Sequence, residues 1–413
     1  MEQNIKTDFE KLLHKSTFSN NEKDTKRESL NNFLKKGLPN RKLEDWKFSD
    51  FSQVIQKNIG ELSFYNDYNV KNEVDETIFI KNIEHNKIVV VNGKIEILSF
   101  EHEESDKIEV KIFEKEKKIN KNSLHTLNNI FSNTPYKILI KNNYSLKKPL
   151  IIYQVTNNKV NNTNVNLRLN FELEENSILK IINIFDDSSE KNFNNIMINF
   201  KLERNAILKN YKIDKKMNSN IKYDFNNIIQ KENSISETFI FSSGSDFMKN
   251  EINCDLQGEY SSAFINGIHF LSNNKHHEIR TTTNHLFENT KSYQLIKSVI
   301  DDNSKSVYQG KIFVDPKAQK TDGYQLSKAV LLNEQAEFNA KPELEIYADD
   351  VKCSHGSASG SLNEDSIFYL MTRGLDYKAA RELLINGFLL DVIEKITDEQ
   401  IKKLIKNIIG LNQ

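Results

Sequence analysis

Two periodicities divide the chain. Over the first 40 residues apolar positions recur at helical spacing, as Phe9, Leu12 and Leu13 and again as Leu30, Phe33 and Leu34, before Gly37 and Pro39 supply a stop. From about residue 87 the period drops to 2. KIVVVNGKIEIL (87–98) sets two apolar runs around Asn92-Gly93, the strongest short signal for a β-hairpin. VNLRLNFEL (165–173) places Val165, Leu167, Leu169, Phe171 and Leu173 on one strand face. After residue 360 the helical period returns. Ser361-Leu362-Asn363-Glu364 matches a capping box that opens a helix ending at Gly374. Asp376 can cap a second helix, YKAARELLINGFLLDVIEKI, and Thr397-Asp398-Glu399-Gln400 opens a third that stops at Gly410.

The strand region repeats. FELEENSILK (171–180) aligns with FKLERNAILK (200–209) at seven of ten positions, and the polar turn returns at Glu232-Asn233-Ser234-Ile235. Weaker echoes follow at Glu259-Tyr260-Ser261, Asp302-Asn303-Ser304 and Asn333-Glu334-Gln335. A strand-only period near 28 residues is what a β-solenoid needs, because each coil exposes an apolar face that only the next coil can cover. Asn suits the corners because it tolerates a left-handed backbone. An antiparallel sandwich with regular hairpins is the competing architecture. Open solenoid ends need covering, and the helical termini are expected to serve as caps. The expected organisation is a helical region over 1–85, a β-helix core over 86–358 and a C-terminal helical domain over 359–413.

Composition narrows the function. With 57 basic and 58 acidic residues among 413, bulk charge gives no reason to expect a nucleic-acid binder. No apolar run approaches the ~18 residues of a membrane span, and MEQNIKTDFEKLLHK lacks the apolar stretch of a secretory signal. Cys254 and Cys353 are too few for a disulfide framework or a cysteine-only metal site, so a reducing cytoplasm is expected. No P-loop, GxGxxG, GxSxG or HExxH pattern occurs, so the chain carries no ATPase motif of its own.

Three stretches hold candidate chemistry. His276 and His277 are adjacent, so on a strand they point to opposite faces and cannot share a metal directly. His269 and His285 flank them, and a structural role is the plainer reading. PELEIYADDVKCSHGSASG (342–360) reads as one strand with Leu344, Ile346 and Ala348 inward. Continued without a bulge, it puts Glu343, Glu345, Cys353 and His355 on the outward face, with Gly356 and Gly360 marking its end. Cys353 and His355 would then lie roughly 6–7 Å apart, close enough for a thiolate and an imidazole to bind one cation or adjacent atoms of one iron–sulfur cluster. Two ligands do not close a site, which implies completion by another chain. GLPNRKLEDWKFSDF (37–51), with the only tryptophan, reads as a loop docking through Trp46 and Phe48 or as a partner contact.

KTDGYQLSKAVLLNEQAEFNAKPELEIYADDVKCSHG (320–356) resembles the most characteristic stretch of the SufB/SufD family of SUF iron–sulfur cluster assembly subunits. FYLMTRGLDYKAARELLINGF (368–388) and GLPNRKLEDWKFSDF are similar to that family's C-terminal and N-terminal segments. The two cysteines and the short helical start resemble the SufD branch. The resemblance implies a right-handed parallel β-helix between helical termini, and a non-catalytic scaffold that pairs with SufB and docks the SufC ATPase. It implies that His355, with Cys353 beside it, stands where a transient iron or Fe–S cluster is assembled at the partner interface. Leu384, Phe388 and Arg373 fall in the part implied to contact SufC, and a homodimer is possible in isolation. Two other functions stay open. One is a polysaccharide-active β-helix enzyme using Asp349-Asp350 with Glu343 and Glu345. The other is a homo-oligomeric structural protein.

Overall fold

The computed structural model describes residues 2–15, 18–67, 71–112, 122–133, 135–187, 191–216 and 218–411. Its helices are α1 (Glu2–Lys15), α2 (Asn20–Lys36), α3 (Phe51–Asn58), α4 (Ser123–Phe131), α5 (Glu364–Thr372), α6 (Tyr377–Ile393) and α7 (Glu399–Ile409). The first strands are β1 (Asn86–Val91), β2 (Lys94–Ser99), β3 (Ile108–Ile112), β4 (Tyr136–Ile140), β5 (Leu150–Val155), β6 (Asn164–Leu173) and β7 (Ile178–Phe185). Next come β8 (Phe193–Leu202), β9 (Ile207–Asp214), β10 (Ile221–Gln230), β11 (Ile235–Ser242), β12 (Phe247–Leu256) and β13 (Ser262–Leu271). The last are β14 (His276–His285), β15 (Lys291–Ile300), β16 (Lys305–Val314), β17 (Asp322–Leu331), β18 (Glu337–Ile346) and β19 (Lys352–Ser361).

Odd and even strands sort into two facing sheets, of ten strands (β19-β17-β15-β13-β11-β9-β7-β5-β1-β2) and nine (β18-β16-β14-β12-β10-β8-β6-β4-β3). Strands from β4 onward pair in parallel with the strand one coil away, which makes a parallel β-solenoid of about eight turns. The repeat is visible in the register. Ile178 sits beside Ile207, that beside Ile235, and the column continues through Ser262, Lys291 and Asp322 to Lys352. The corners use the expected residues. Asn143, Asn176, Asn205 and Asn233 are left-handed, with Tyr260 and Asp302 in the same conformation further on. Asn176 Nδ2 donates to Asn143 Oδ1 and Asn205 Nδ2 to Asn176 Oδ1, each at 2.7 Å, so the corner amides form a ladder.

Period 2 survives because inward residues of one coil lie on those of the next. Leu167, Leu169, Phe171 and Leu173 meet Ile196, Ile198, Phe200 and Leu202 in one continuous core, and each fully buried chain of this size is worth roughly 1.5–3 kcal/mol. At the start of the stack, β1 and β2 form the expected antiparallel hairpin, with Asn92 at φ 51° and Gly93 at φ 80° as a primed turn requires.

The helices do not cap the ends. Ile5, Phe9, Leu12 and Phe33, with Trp46 and Phe51, pack on the outer face of the nine-stranded sheet against Phe193, Met197, Tyr223 and Phe247. Ile385, Leu389, Val392, Ile401 and Ile405 pack on the outer face of the ten-stranded sheet against Ile182, Tyr211, Phe239 and Leu295. Both faces of each sheet carry apolar residues in the middle coils, so the flanks had to be covered and the helices went there. The stack begins with antiparallel β2 and β3 and ends with β18 and β19, each paired on one side only. Two cap assignments shift. Asn363, not Ser361, caps α5 through Ser366 N, and Asp398, not Thr397, caps α7 through Ile401 N. Asp376 caps α6 as expected.

The 37–51 segment is a clamp across the nine-stranded sheet. Trp46 is buried, edge-on to Phe51, with Lys249 Nζ 4.5 Å above its ring. Phe48 is half-buried. Lys249 Nζ donates to the Asp45 carbonyl at 2.8 Å, Arg280 pairs with Asp45 at 2.5 Å, and Lys341 of β18 pairs with Glu44.

Candidate functional site at the open end

The CSHG stretch lies on the terminal strand. The chain does not run straight through 342–360. β18 ends at Ile346, a corner follows, and β19 starts in the other sheet. The corner is fixed by bonds to the coil below: Lys320 N donates to the Asp350 carbonyl, and Asp350 N to Gln319 Oε1 at 2.9 Å. The single-strand expectation therefore fails, because a solenoid must turn once per strand. Glu343 and Glu345 stay on the outer face of β18, paired with Lys341 and Lys311. Cys353 and His355 instead join the inward column of the ten-stranded sheet. Gly356 and Gly360 sit within β19 rather than marking its end.

The register gives the inward direction. Gly323, Gln325 and Ser327 of β17 sit beside Cys353, His355 and Ser357 of β19. A Cβ on Gly323 would lie 3.3 Å from Cys353 Sγ and 3.4 Å from Ile312, which is interior. Cys353 packs half-buried on the small cluster of Ile312, Val314, Ala318 and Ala348. Burial pushes its thiol above the ordinary value, and the Asp322 carboxylate adds to this, against a backbone hydrogen bond from Gly323. His355, two residues on, is exposed because no further coil covers it. A soft thiolate and a borderline imidazole on one face suit iron, zinc or an iron–sulfur species. Among the described residues no three His, Cys, Asp or Glu side chains gather around one point.

His269, His277 and His285 are core residues. His277 lies inside the stack with Nδ1 2.6 Å from Ser242 Oγ and Nε2 2.6 Å from the Ser245 carbonyl, and burial holds its pKa at about 4. His269 stands edge-on to it at 5.8 Å, and burial keeps it well below its ordinary value. His285 bridges Thr290 and Ser292, with its pKa lowered by burial to about 3. His276 points the other way and meets Glu278 at 3.0 Å. Cys254 is sealed in the core, and burial pushes its thiol up to about 12.

On the C-terminal helices, Leu384 and Phe388 are half-buried and Arg373 is exposed. Phe388 lies under Lys297 Nζ at 4.4 Å, so part of its ring faces the sheet. The outer surface carries Phe368, Tyr369, Met371, Tyr377, Leu383 and Leu390, all exposed. Helical period did not separate the two sides, because α6 is apolar around much of its circumference. Gly323 and Gln325 beneath the CSHG column were also missed. Counting one coil back from Cys353 and His355 would have found them.

The family model for the SUF system FeS cluster assembly SufBD core domain matches residues 155–388. The chain is 25% identical to the iron–sulfur cluster assembly protein SufD of Escherichia coli over 403 residues, 92% of this chain and 90% of that protein. It is 43% identical to protein ABCI7, chloroplastic, of Arabidopsis thaliana over 117 residues, 28% of this chain and 25% of that one. It is 29% identical to the iron–sulfur cluster assembly protein SufD of Plasmodium falciparum over 157 residues, 38% of this chain and 11% of that one. Since the core model covers more than half of its length and a SufD protein aligns along nearly all of it, the chain belongs to the SufBD family of SUF-system iron–sulfur cluster assembly proteins, on the SufD side.

Proposed function

We propose that this chain is a non-catalytic scaffold subunit that pairs through its open coil with SufB, so that a cluster is assembled between them, while its C-terminal helices dock the SufC ATPase. The observation that carries the reading is the position of His355 and Cys353 on the last coil, whose strands β18 and β19 are each paired on one side only. Two donors are half of a tetrahedral set, and a sister subunit pairing along the exposed strand edges would bring the other half. Iron and sulfide are cargo in this reading, held until the cluster is passed on.

The exposed Phe368, Tyr369, Met371, Tyr377, Leu383 and Leu390 would form the ATPase contact, with Leu384, Phe388 and Arg373 at its margin. Helix α6 rests on the sheet whose last strand carries both donors, so a push on it reaches that sheet directly. A neutral imidazole supplies a lone pair to iron, and the sister chain supplies sulfur. In this reading the complex is cytoplasmic; among the described residues no helix is long and apolar enough to cross a membrane.

The test is anaerobic reconstitution with both partners. His355→Ala should abolish cluster absorption while the three subunits still co-purify. An undiminished cluster yield rejects the assignment. Cys353→Ala should have a smaller effect, since thiols of the partner can substitute. In isolation the same open coil is expected to pair with a second copy.

A further inference from the structure

One inward column runs Ile181, Asn210, Thr238, Ile265, Gln294, Gln325 and His355, so polar residues enter the interior from the middle coils and hold its last three places. In the last three coils the column that ends at His355 reads Gln294, Gln325, His355. Across from it stands Tyr308, fully buried, with its hydroxyl 2.9 Å from Gln294 Oε1 and 3.2 Å from Gln325 Oε1. Thr281 Oγ1 also donates to Gln294 Oε1 at 2.5 Å, and the one Tyr308 proton is shared between the Gln294 and Gln325 oxygens. On its other side Gln325 Nε2 donates to the Glu343 carbonyl of β18 at 3.2 Å. A flipped amide would set oxygen against that carbonyl oxygen, so this orientation is enforced.

Glycine at 310 has no backbone reason, since its φ is not positive. Its reason is space. A Cβ there would overlap both the Gln325 side-chain oxygen and the Tyr308 hydroxyl. Gly310 is the vacancy in which the bond between them is made. Gln325 thus ties the penultimate strand of one sheet to the last strand of the other, directly beneath the coil that carries Cys353 and His355. That coil has little apolar core of its own and no cover, so buried polar bonds of this kind decide its position.

We propose that Gln325, locked by Tyr308 and bonded to the Glu343 carbonyl, is the positioning residue that fixes the terminal coil and so sets where Cys353 and His355 stand. The inference rests on the assembly reading for its purpose, but its physical content concerns this chain alone. Gln325→Met keeps the volume and loses both bonds, Tyr308→Phe loses the lock, and Gly310→Ala expels the amide. In the full isolated chain, each should raise hydrogen exchange in the 337–361 peptides, by about tenfold for each buried hydrogen bond lost. Exchange in β6 to β12 should stay unchanged. Alkylation of Cys353 should accelerate by a similar factor while Cys254 remains protected as the internal control. Uniform acceleration along the whole solenoid, or no change in 337–361, overturns the proposal. Local loosening in a chain whose complex assembles clusters regardless of His355 upholds the positioning role and overturns the assembly reading instead.

Discussion

Acid should unfasten this solenoid well before its carboxylates titrate. His125, His277 and His285 are buried, and burial lowers their pKa values to about 3, 4 and 3. In the unfolded chain each returns to about 6.5. The folded value lies below the unfolded one, so between pH 6.5 and about 4 the unfolded state binds protons that the folded state refuses. Stability is therefore full above pH 6.5 and falls as the pH drops. From pH 7 to pH 5 each such histidine removes about 2 kcal/mol, hence about 6 kcal/mol for the three. That is comparable with the whole stability of many domains. The assay is urea unfolding at pH 7, 6 and 5, followed by fluorescence of the single tryptophan, Trp46, and by far-ultraviolet circular dichroism. The midpoint should fall steeply across this range. His269 is a fourth buried histidine held well below its ordinary value, so His285→Gln, which keeps polar atoms near Thr290 and Ser292, should remove at most about a quarter of the pH dependence whatever it costs at pH 7. A midpoint constant from pH 7 to pH 5 would refute the reasoning, because it requires either charged histidines in the core or equal pKa values in both states.

Other consequences are equally open to measurement. Lys249 is fully buried between Glu278 at 2.6 Å and the Asp45 carbonyl, so Lys249→Met should cost about 3–5 kcal/mol by leaving the buried carboxylate with His276 as its one partner among these side chains. Adding Glu278→Leu should recover much of that loss in urea titrations, and a double variant no better than the single one rejects the paired-charge account. Gly93→Ala places a side chain at φ 80° with its Cβ 2.7 Å from the Asn166 carbonyl, and should cost about 1–3 kcal/mol. An unchanged urea midpoint counts against that strain.

The alternation in 165–173 and the repeat of 171–180 at 200–209 made the stacked coils legible, because a coil has one local rule: inward residues every second position and a left-handed corner. Asn176, Asn205 and Asn233 stand where that rule put them. The cap assignments missed by one or two residues, since Ser361 and Asn363 can both cap and only the path of the preceding strand selects between them.

What the sequence by itself determined is the material of the stack: its period, its corners, its helical ends and the pairing of Cys353 with His355 two residues apart. Only the tertiary structure decided which face those two donors share and what lies beneath them. A strand's alternation is blind to a corner between residues 346 and 352, and one corner moves the thiol and the imidazole from the outward to the inward column of the other sheet. It also decided that the helices cover the flanks rather than the ends. That choice depends on the apolar area each surface presents once the coils have stacked, a quantity that no single segment carries.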